Sequence, residues 1–170
     1  MRHDLGPAYA ALAGEGEETW FQPNRMTIKA GREHTAGAYG LVESWVRAGS
    51  SPPLHVHHRE DEAFYVLEGR VLFHCDGREV LAGPGSYVFL PRGVPHTFLV
   101  EGDEDAHLLT LISPGGGERF FVEAGRPPEG PGLPPPGPPD VERLKQVSAE
   151  FGAEIVGPPL EPKAPRSLDR

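Results

Sequence analysis

From about residue 26 to residue 113, hydrophobic and polar residues alternate with a period close to two, in short runs broken by Gly, Pro or Asp. That pattern marks strands with one buried face. The runs predict nine strands: Met26 to Ala30, Tyr39 to Arg47, Leu54 to His57, Ala63 to Glu68, Arg70 to Cys75, Glu79 to Leu81, Ser86 to Leu90, Thr97 to Val100 and Ala106 to Ser113. Nine short strands exceed what a hairpin module needs. Closed into a two-sheet jelly-roll barrel, they lose most of their exposed edges and enclose an interior able to hold one ligand. The expected fold class is all-β.

After Ser113 the pattern changes. Glu118 to Ala124 can form two turns of helix carrying Phe120 and Phe121, and Pro127 to Pro139 holds eight prolines in thirteen residues, an extended semi-rigid segment. Asp140 can cap a helix to Phe151, with Val141, Leu144, Val147 and Phe151 along one stripe and Gly152 as its stop. The stripe needs a surface, so the helix is expected to pack on the barrel or partly cover its mouth. The expected organisation is a barrel with N-terminal extension over 1–125, a proline-rich linker at 126–139, a short C-terminal helix on the barrel within 140–160 and a disordered tail at 161–170.

Length and charge narrow the partners. The 170 residues suit one domain with a real core. A formal net charge of −9 disfavours nucleic acid and anionic membrane surfaces, leaving a neutral or weakly acidic small molecule as the expected partner. No apolar stretch approaches the roughly twenty residues of a membrane span, and the first residues, Arg2, His3 and Asp4, do not open an apolar signal region. Cys75 is the single cysteine, so no internal disulfide is possible, and the expected location is cytoplasmic.

The chemistry is concentrated in four residues. His55 and His57, two apart on a strand, project from one face, so both ring nitrogens can reach one cation. Glu62 follows after the short polar connection His58 to Asp61, and a tight turn can bring its carboxylate beside the two rings. His96, from a later segment, offers a fourth ligand. Three imidazoles and a carboxylate suit one mid-series divalent transition metal ion with coordination positions left free. The remaining histidines, His3, His34, His74 and His107, read as surface or hydrogen-bonded core residues. His58 has the parity opposite to the chelating pair and reads as a surface or supporting residue. Glu60, Asp61, Glu104 and Asp105 read as solvated loop charges.

Strand parity outlines a pocket. If Glu62 points inward, so do Phe64 and Val66, while Ala63, Tyr65 and Leu67 point outward; His96 carries Phe98 and Val100 inward. The expected substrate pocket is Phe64, Val66, Phe98 and Val100. Tyr39, Leu41 and Trp45 share one parity, with their face left open.

Gly49-(five residues)-His55-Val56-His57-(four)-Glu62-(six)-Gly69 resembles the first motif of the cupin superfamily, and Gly85-(five)-Pro91-Arg92-Gly93-(two)-His96 resembles the second. Val100 stands where that second motif usually ends in Asn, a position that does not bind metal. The fuller stretches PPLHVHHREDEAFYVLEG and GPGSYVFLPRGVPHTF, within a likeness running from about Gly37 to Leu160, are similar to small single-barrel (monocupin) quercetinase-like proteins. The resemblance implies a cupin jelly-roll barrel, or double-stranded β-helix. It also implies a metal (Fe, Mn, Ni, Co, Cu or Zn) on His55, His57, Glu62 and His96, with Glu62 accepting the proton of a substrate hydroxyl. The implied reaction is a quercetinase-like dioxygenase acting on a small aromatic or enolisable oxygenated compound, with dioxygen as co-substrate. Two other classes stay open: a non-oxidative metal-dependent isomerase, cyclase or decarboxylase, and a non-catalytic small-molecule-binding cupin. Homodimers through outer sheet faces are expected.

Overall fold

A computed structural model describes residues 8–162. The chain runs β1 (Glu17–Phe21), β2 (Asn24–Ala30), β3 (Gly40–Val46), β4 (Pro53–His57), β5 (Asp61–Glu68), β6 (Val71–Cys75), β7 (Arg78–Ala82), β8 (Tyr87–Leu90), β9 (His96–Val100), β10 (Ala106–Ser113), α1 (Arg119–Ala124), α2 (Val141–Glu150) and β11 (Ala153–Pro159). Each of the nine expected strands is present within a residue or two of its predicted ends. Two strands escaped the pattern. β1 opens on two glutamates and β11 ends in Gly-Pro-Pro, so neither alternates cleanly.

The strands form two antiparallel sheets, a six-stranded one in the order β1-β2-β3-β10-β5-β8 and a five-stranded one in the order β11-β4-β9-β6-β7. This is an all-β jelly roll. The inward residues of both sheets meet in the larger of two apolar clusters: Val46, Phe64, Val66, Val71, Phe73, Leu90, Val100 and Leu108 are buried in it, and Cys75, Val88 and Phe98 pack against it partly exposed, while Met26, Ile28, Val42 and Ile112 form the second. Parity creates that core, because every second residue of a strand shares a face. Sharp reversals depend on backbone that only some residues tolerate. Asp76 and Gly77 both have positive φ, 51° and 72°, which suits the tight two-residue turn joining β6 to β7. Gly69 has φ 81°, and a Cβ there would lie 2.8 Å from Ala106 Cα.

The C-terminal segment is built onto this frame. Asp140 caps α2 by accepting from the Arg143 N–H at 3.0 Å. Leu144 and Val147 of the expected stripe are buried, whereas Val141 is exposed. Phe120 of α1 bridges Phe151, at 6.0 Å between ring centroids, and Phe21 of β1, at 5.4 Å. The proline-rich segment is tied to the barrel. The backbones of Trp20 and Arg126 exchange two hydrogen bonds at 2.9 Å, Trp20 Nε1 donates to the Gly132 carbonyl at 3.0 Å, and the Arg47 guanidinium donates to the Pro134 carbonyl at 2.8 Å. Of the tail expected at 161–170, residues 163–170 lie outside the described residues, as does His3. None of the described helices is long and apolar enough to cross a membrane.

Candidate metal centre

β4 presents His55 and His57 on one face, as two-residue spacing requires. On the neighbouring strand β9, His96 is in direct register with His55. Glu62 comes from β5 in the opposite sheet, so the four side chains bridge the two layers of the barrel. Their ligand atoms all lie within 4.8 Å of one another. Ring centroids are 4.6 Å apart for His55 and His96, 5.0 Å for His55 and His57, and 5.5 Å for His57 and His96. Glu62 and His96 are buried, and the two β4 histidines are partly exposed. β11 flanks the ligand strand at the sheet edge, pairing Ala153 with His57 and Ile155 with His55.

Backbone carbonyls set the orientation of two rings. His55 Nδ1 lies 2.7 Å from the Pro53 carbonyl and His96 Nδ1 lies 2.9 Å from the Val94 carbonyl. A carbonyl only accepts, so each Nδ1 carries a proton, and in the neutral form of each ring a bare Nε2 is turned inward. The inward groups then confront one another as acceptors. Glu62 Oε2 is 3.3 Å from His96 Nε2, and Glu62 Oε1 is 3.5 Å from His57 Nε2. Close as that is, the buried His96 Nε2 has no aligned hydrogen-bond partner. Lone pairs converging on a carboxylate in a buried site are stable only around a positive charge, a proton or a cation. The donor set therefore fits a divalent ion of the borderline class, and the cluster could hold one.

The titration shifts express the same crowding. Burial pushes the Glu62 carboxyl up, but His57 and His96, together with His55, outweigh it and hold the group at about 2. Burial lowers His55 to about 4, against the pull of Glu62. For His96 burial also lowers, yet the adjacent Glu62 carboxylate prevails and the value is raised.

Of the expected pocket residues, Phe64, Val66 and Val100 are buried in the core, and Phe98 packs against it partly exposed. Phe64 and Phe98 stand 5.8 Å apart, edge to face. Leu41 and Trp45 face away from the site: each lines a cleft on the outside of the six-stranded sheet, Trp45 with Arg25 and Leu133. His107 stacks on Trp45 on that outer face and its Nε2 lies 2.8 Å from a Glu43 carboxylate oxygen. His58 pairs at the surface with Glu154 at 3.2 Å. Two residues near the site have partners that the sequence did not reveal. Glu60, expected as a solvated charge, is 8% exposed and lies 3.8 Å from His57 Nδ1, where burial raises its pKa. Asp61, also expected to be solvated, grips Arg92 through two side-chain contacts of 2.8 and 3.2 Å and accepts from the Arg92 N–H at 2.9 Å. This ion pair ties the turn before His96 to the start of the Glu62 strand. Spacing gave no signal for either residue; Cys75, in register with His96 on β6, was legible only by pairing.

The profile of the cupin domain matches residues 42–112, the span that holds all four clustered residues. This is a small protein of the cupin superfamily. The cupin is 30% identical over 125 residues to quercetin 2,3-dioxygenase of Bacillus subtilis, an alignment covering 72% of this chain and 36% of that one. It is 36% identical over 64 residues to an oxalate-binding protein of Thermotoga maritima, covering 38% and 53%. The chain thus spans about a third and about half of the lengths of these two relatives. Among solved structures, KdgF from Halomonas sp. superposes with a TM-score of 0.57 at 20% identity, covering 64% of this chain and 96% of that one. The nucleoside dehydratase Pac13 gives 0.53 at 16% identity, covering 65% and 86%. These last two likenesses are of fold.

Proposed function

We propose that this cupin is a metal-dependent enzyme acting on a small aromatic or enolisable oxygenated compound, a dioxygenase of the quercetinase kind. The observation that carries the reading is the inward convergence of three imidazoles and one carboxylate from both sheets; the likeness to quercetin 2,3-dioxygenase supports the choice of chemistry. His55, His57, His96 and Glu62 would hold one divalent ion, drawn from iron, manganese, nickel, cobalt, copper and zinc. When bound, such an ion supplies Lewis acidity that lowers the pKa of a substrate hydroxyl. Glu62, whose carboxylate lies among the three rings, is the group placed to accept that proton. Phe98, half-buried beside the core, offers an apolar wall to the substrate ring, with Phe64, Val66 and Val100 behind it.

Oxygen-electrode assays with flavonols on protein loaded with each metal test this reading. Uptake of dioxygen matched to substrate loss is expected. Equal turnover under argon would instead select a non-oxidative isomerase, cyclase or decarboxylase, chemistry of the broad kind for which the dehydratase Pac13 uses this fold. A purely binding role requires Glu62→Gln to leave function intact, whereas the enzymatic reading expects a large loss.

Assembly as a cytoplasmic homodimer belongs to the same proposal. On the outer face of the six-stranded sheet, Tyr65 is 43% exposed, Tyr87 64%, Phe89 52% and Leu111 37%. They are contiguous, since Tyr65 pairs with Tyr87 and Ala63 with Phe89 and Leu111. At roughly 150–250 Å² per aromatic side chain, the exposed halves of three rings offer about 300 Å². That suits the apolar centre of an interface burying roughly 800 Å² per partner. β8 ends its sheet without a charge or proline in Tyr87–Leu90, so its open edge extends the contact. Sedimentation should give a dimer that Phe89→Glu converts to monomer; a wild-type species of one chain rejects it.

A further inference from the structure

The three imidazoles are not held alike. His55 and His96 each donate Nδ1–H to the carbonyl of the residue two earlier in the chain, Pro53 and Val94. Those contacts are backbone to ring on the same strand or its approach, and they lock both rings without any other side chain. The residue two before His57 is His55, and no hydrogen bond to its carbonyl forms; among the described residues no hydrogen bond holds either His57 ring nitrogen. What faces His57 Nδ1 is the Glu60 carboxylate, its Oε2 3.8 Å away. Nε2 of the same ring faces Glu62 Oε1 at 3.5 Å. One histidine thus stands between two carboxylates, one on each ring nitrogen.

Glu60 is held in that place. It lies three residues after His57 in the turn between β4 and β5, and its side chain is 10% exposed. Gly117 covers it. A Cβ on Gly117 would lie 3.2 Å from Glu60 Cγ and 2.8 Å from Ile112 Cγ2, so the missing side chain is the space that the Glu60 stem uses. The backbone of His57 is fixed separately, its carbonyl accepting from the Gly93 N–H at 2.7 Å. With the main chain anchored and Nδ1 unlocked, rotation of the ring is the one freedom left to this ligand, and Glu60 is the group placed to remove it. A buried carboxylate in that position is stable when it accepts a hydrogen bond.

We propose that Glu60 is a positioning residue for the metal centre. It accepts the Nδ1–H of His57, so fixing the tautomer with Nε2 bare and turning that nitrogen toward the ligands of the other strands. A carboxylate in this role also makes the imidazole a better donor. The inference rests on the metal-binding reading above and asks a narrower question of it: which group outside the four ligands sets the affinity. The gap of 3.8 Å is longer than a hydrogen bond, so closure by about 0.6–0.9 Å on ion binding is part of the proposal.

Calorimetric titration of the metal-free protein with Co(II), and the visible absorption of the Co(II) form, test it. Relative to the wild-type chain, Glu60→Ala should bind Co(II) about 10–100-fold more weakly, the size usual for loss of such a supporting partner, with a shifted visible band. Glu60→Gln keeps an acceptor oxygen and should recover part of the loss. Glu154→Gln, which removes the surface partner of His58, should leave affinity unchanged. In a His57→Ala background, Glu60→Gln should have no further effect, because the ring it orients is gone; a merely structural role would lower affinity in both backgrounds. Affinity of Glu60→Ala within about twofold of wild type, or an undiminished effect in the His57→Ala background, overturns the assignment. Failure of the wild-type chain to bind Co(II) overturns the metal reading itself, a separate outcome. Far-ultraviolet circular dichroism of each metal-free variant separates loss of fold from loss of affinity.

Discussion

Glu118 is a fully buried acid that is not one of the four clustered residues, and its removal has a cost that can be worked out from its contacts. It is 0% exposed; Oε1 accepts from the Arg32 N–H at 2.8 Å and Oε2 from the Gly116 N–H at 2.6 Å. Gly40 leaves the room for it, since any Cβ there would collide with the carboxylate. In Glu118→Ala both backbone donors lose a charged acceptor, at most about 1–3 kcal/mol each, so roughly 2–6 kcal/mol together is an upper bound, because Arg32 is exposed and Gly116 partly exposed. That is a large part of the roughly 5–15 kcal/mol that holds an ordinary domain together. Glu118→Gln preserves the shape and one acceptor but turns an amide N–H toward a backbone N–H, so about half the loss is expected. Urea unfolding followed by circular dichroism, compared at equal slope, reads both values. A loss below about 1 kcal/mol for the alanine variant, or a glutamine variant as damaged as the alanine one, would show that water or a relaxed loop takes over the two donors and that the reasoning is wrong.

Other outcomes follow from the site. Addition of Zn(II) or Co(II) at about 100 times its dissociation constant should stabilise the chain by about 2.7 kcal/mol, raising the melting temperature by roughly 5–10 °C in scanning calorimetry. His96→Ala should abolish the response; an equal shift in that variant would mean that the ion binds elsewhere. The Asp61–Arg92 contact should give a pH-dependent contribution. Hydrogen bonds from Arg92 lower the Asp61 carboxyl below its ordinary 3.8, so this stabilisation is present above pH 3.8 and is lost as the pH falls through the lowered value. The pair is partly exposed, so Asp61→Ala should cost about 0.2–1 kcal/mol at neutral pH, measurable by urea unfolding, and progressively less as the pH falls through that lowered value.

Local pattern alone determined a good deal of this protein. Alternation fixed nine strands, because a strand with one buried face must change polarity at every second residue, and recurrence every three or four residues marked the stripe of α2. The spacing of His55, His57, Glu62 and His96 with their glycines marked the cluster, since parity puts the first two on one face and the turns bring the others back. Parity says which residues share a face but not which face meets the core, so Leu41 and Trp45 could be placed only once β3 lay between β2 and β10. β11 stayed hidden because its strand character comes from pairing with β4 rather than from its own composition. The buried acids were hidden for a related reason. A carboxylate reads as solvated unless its partners are known, and those of Glu118 include an N–H 86 residues away, while Glu60 is covered by Gly117 from the connection between β10 and α1. Sequence fixes what depends on neighbours along the chain; the burial of a charge depends on neighbours across it, which exist only after the sheets have closed.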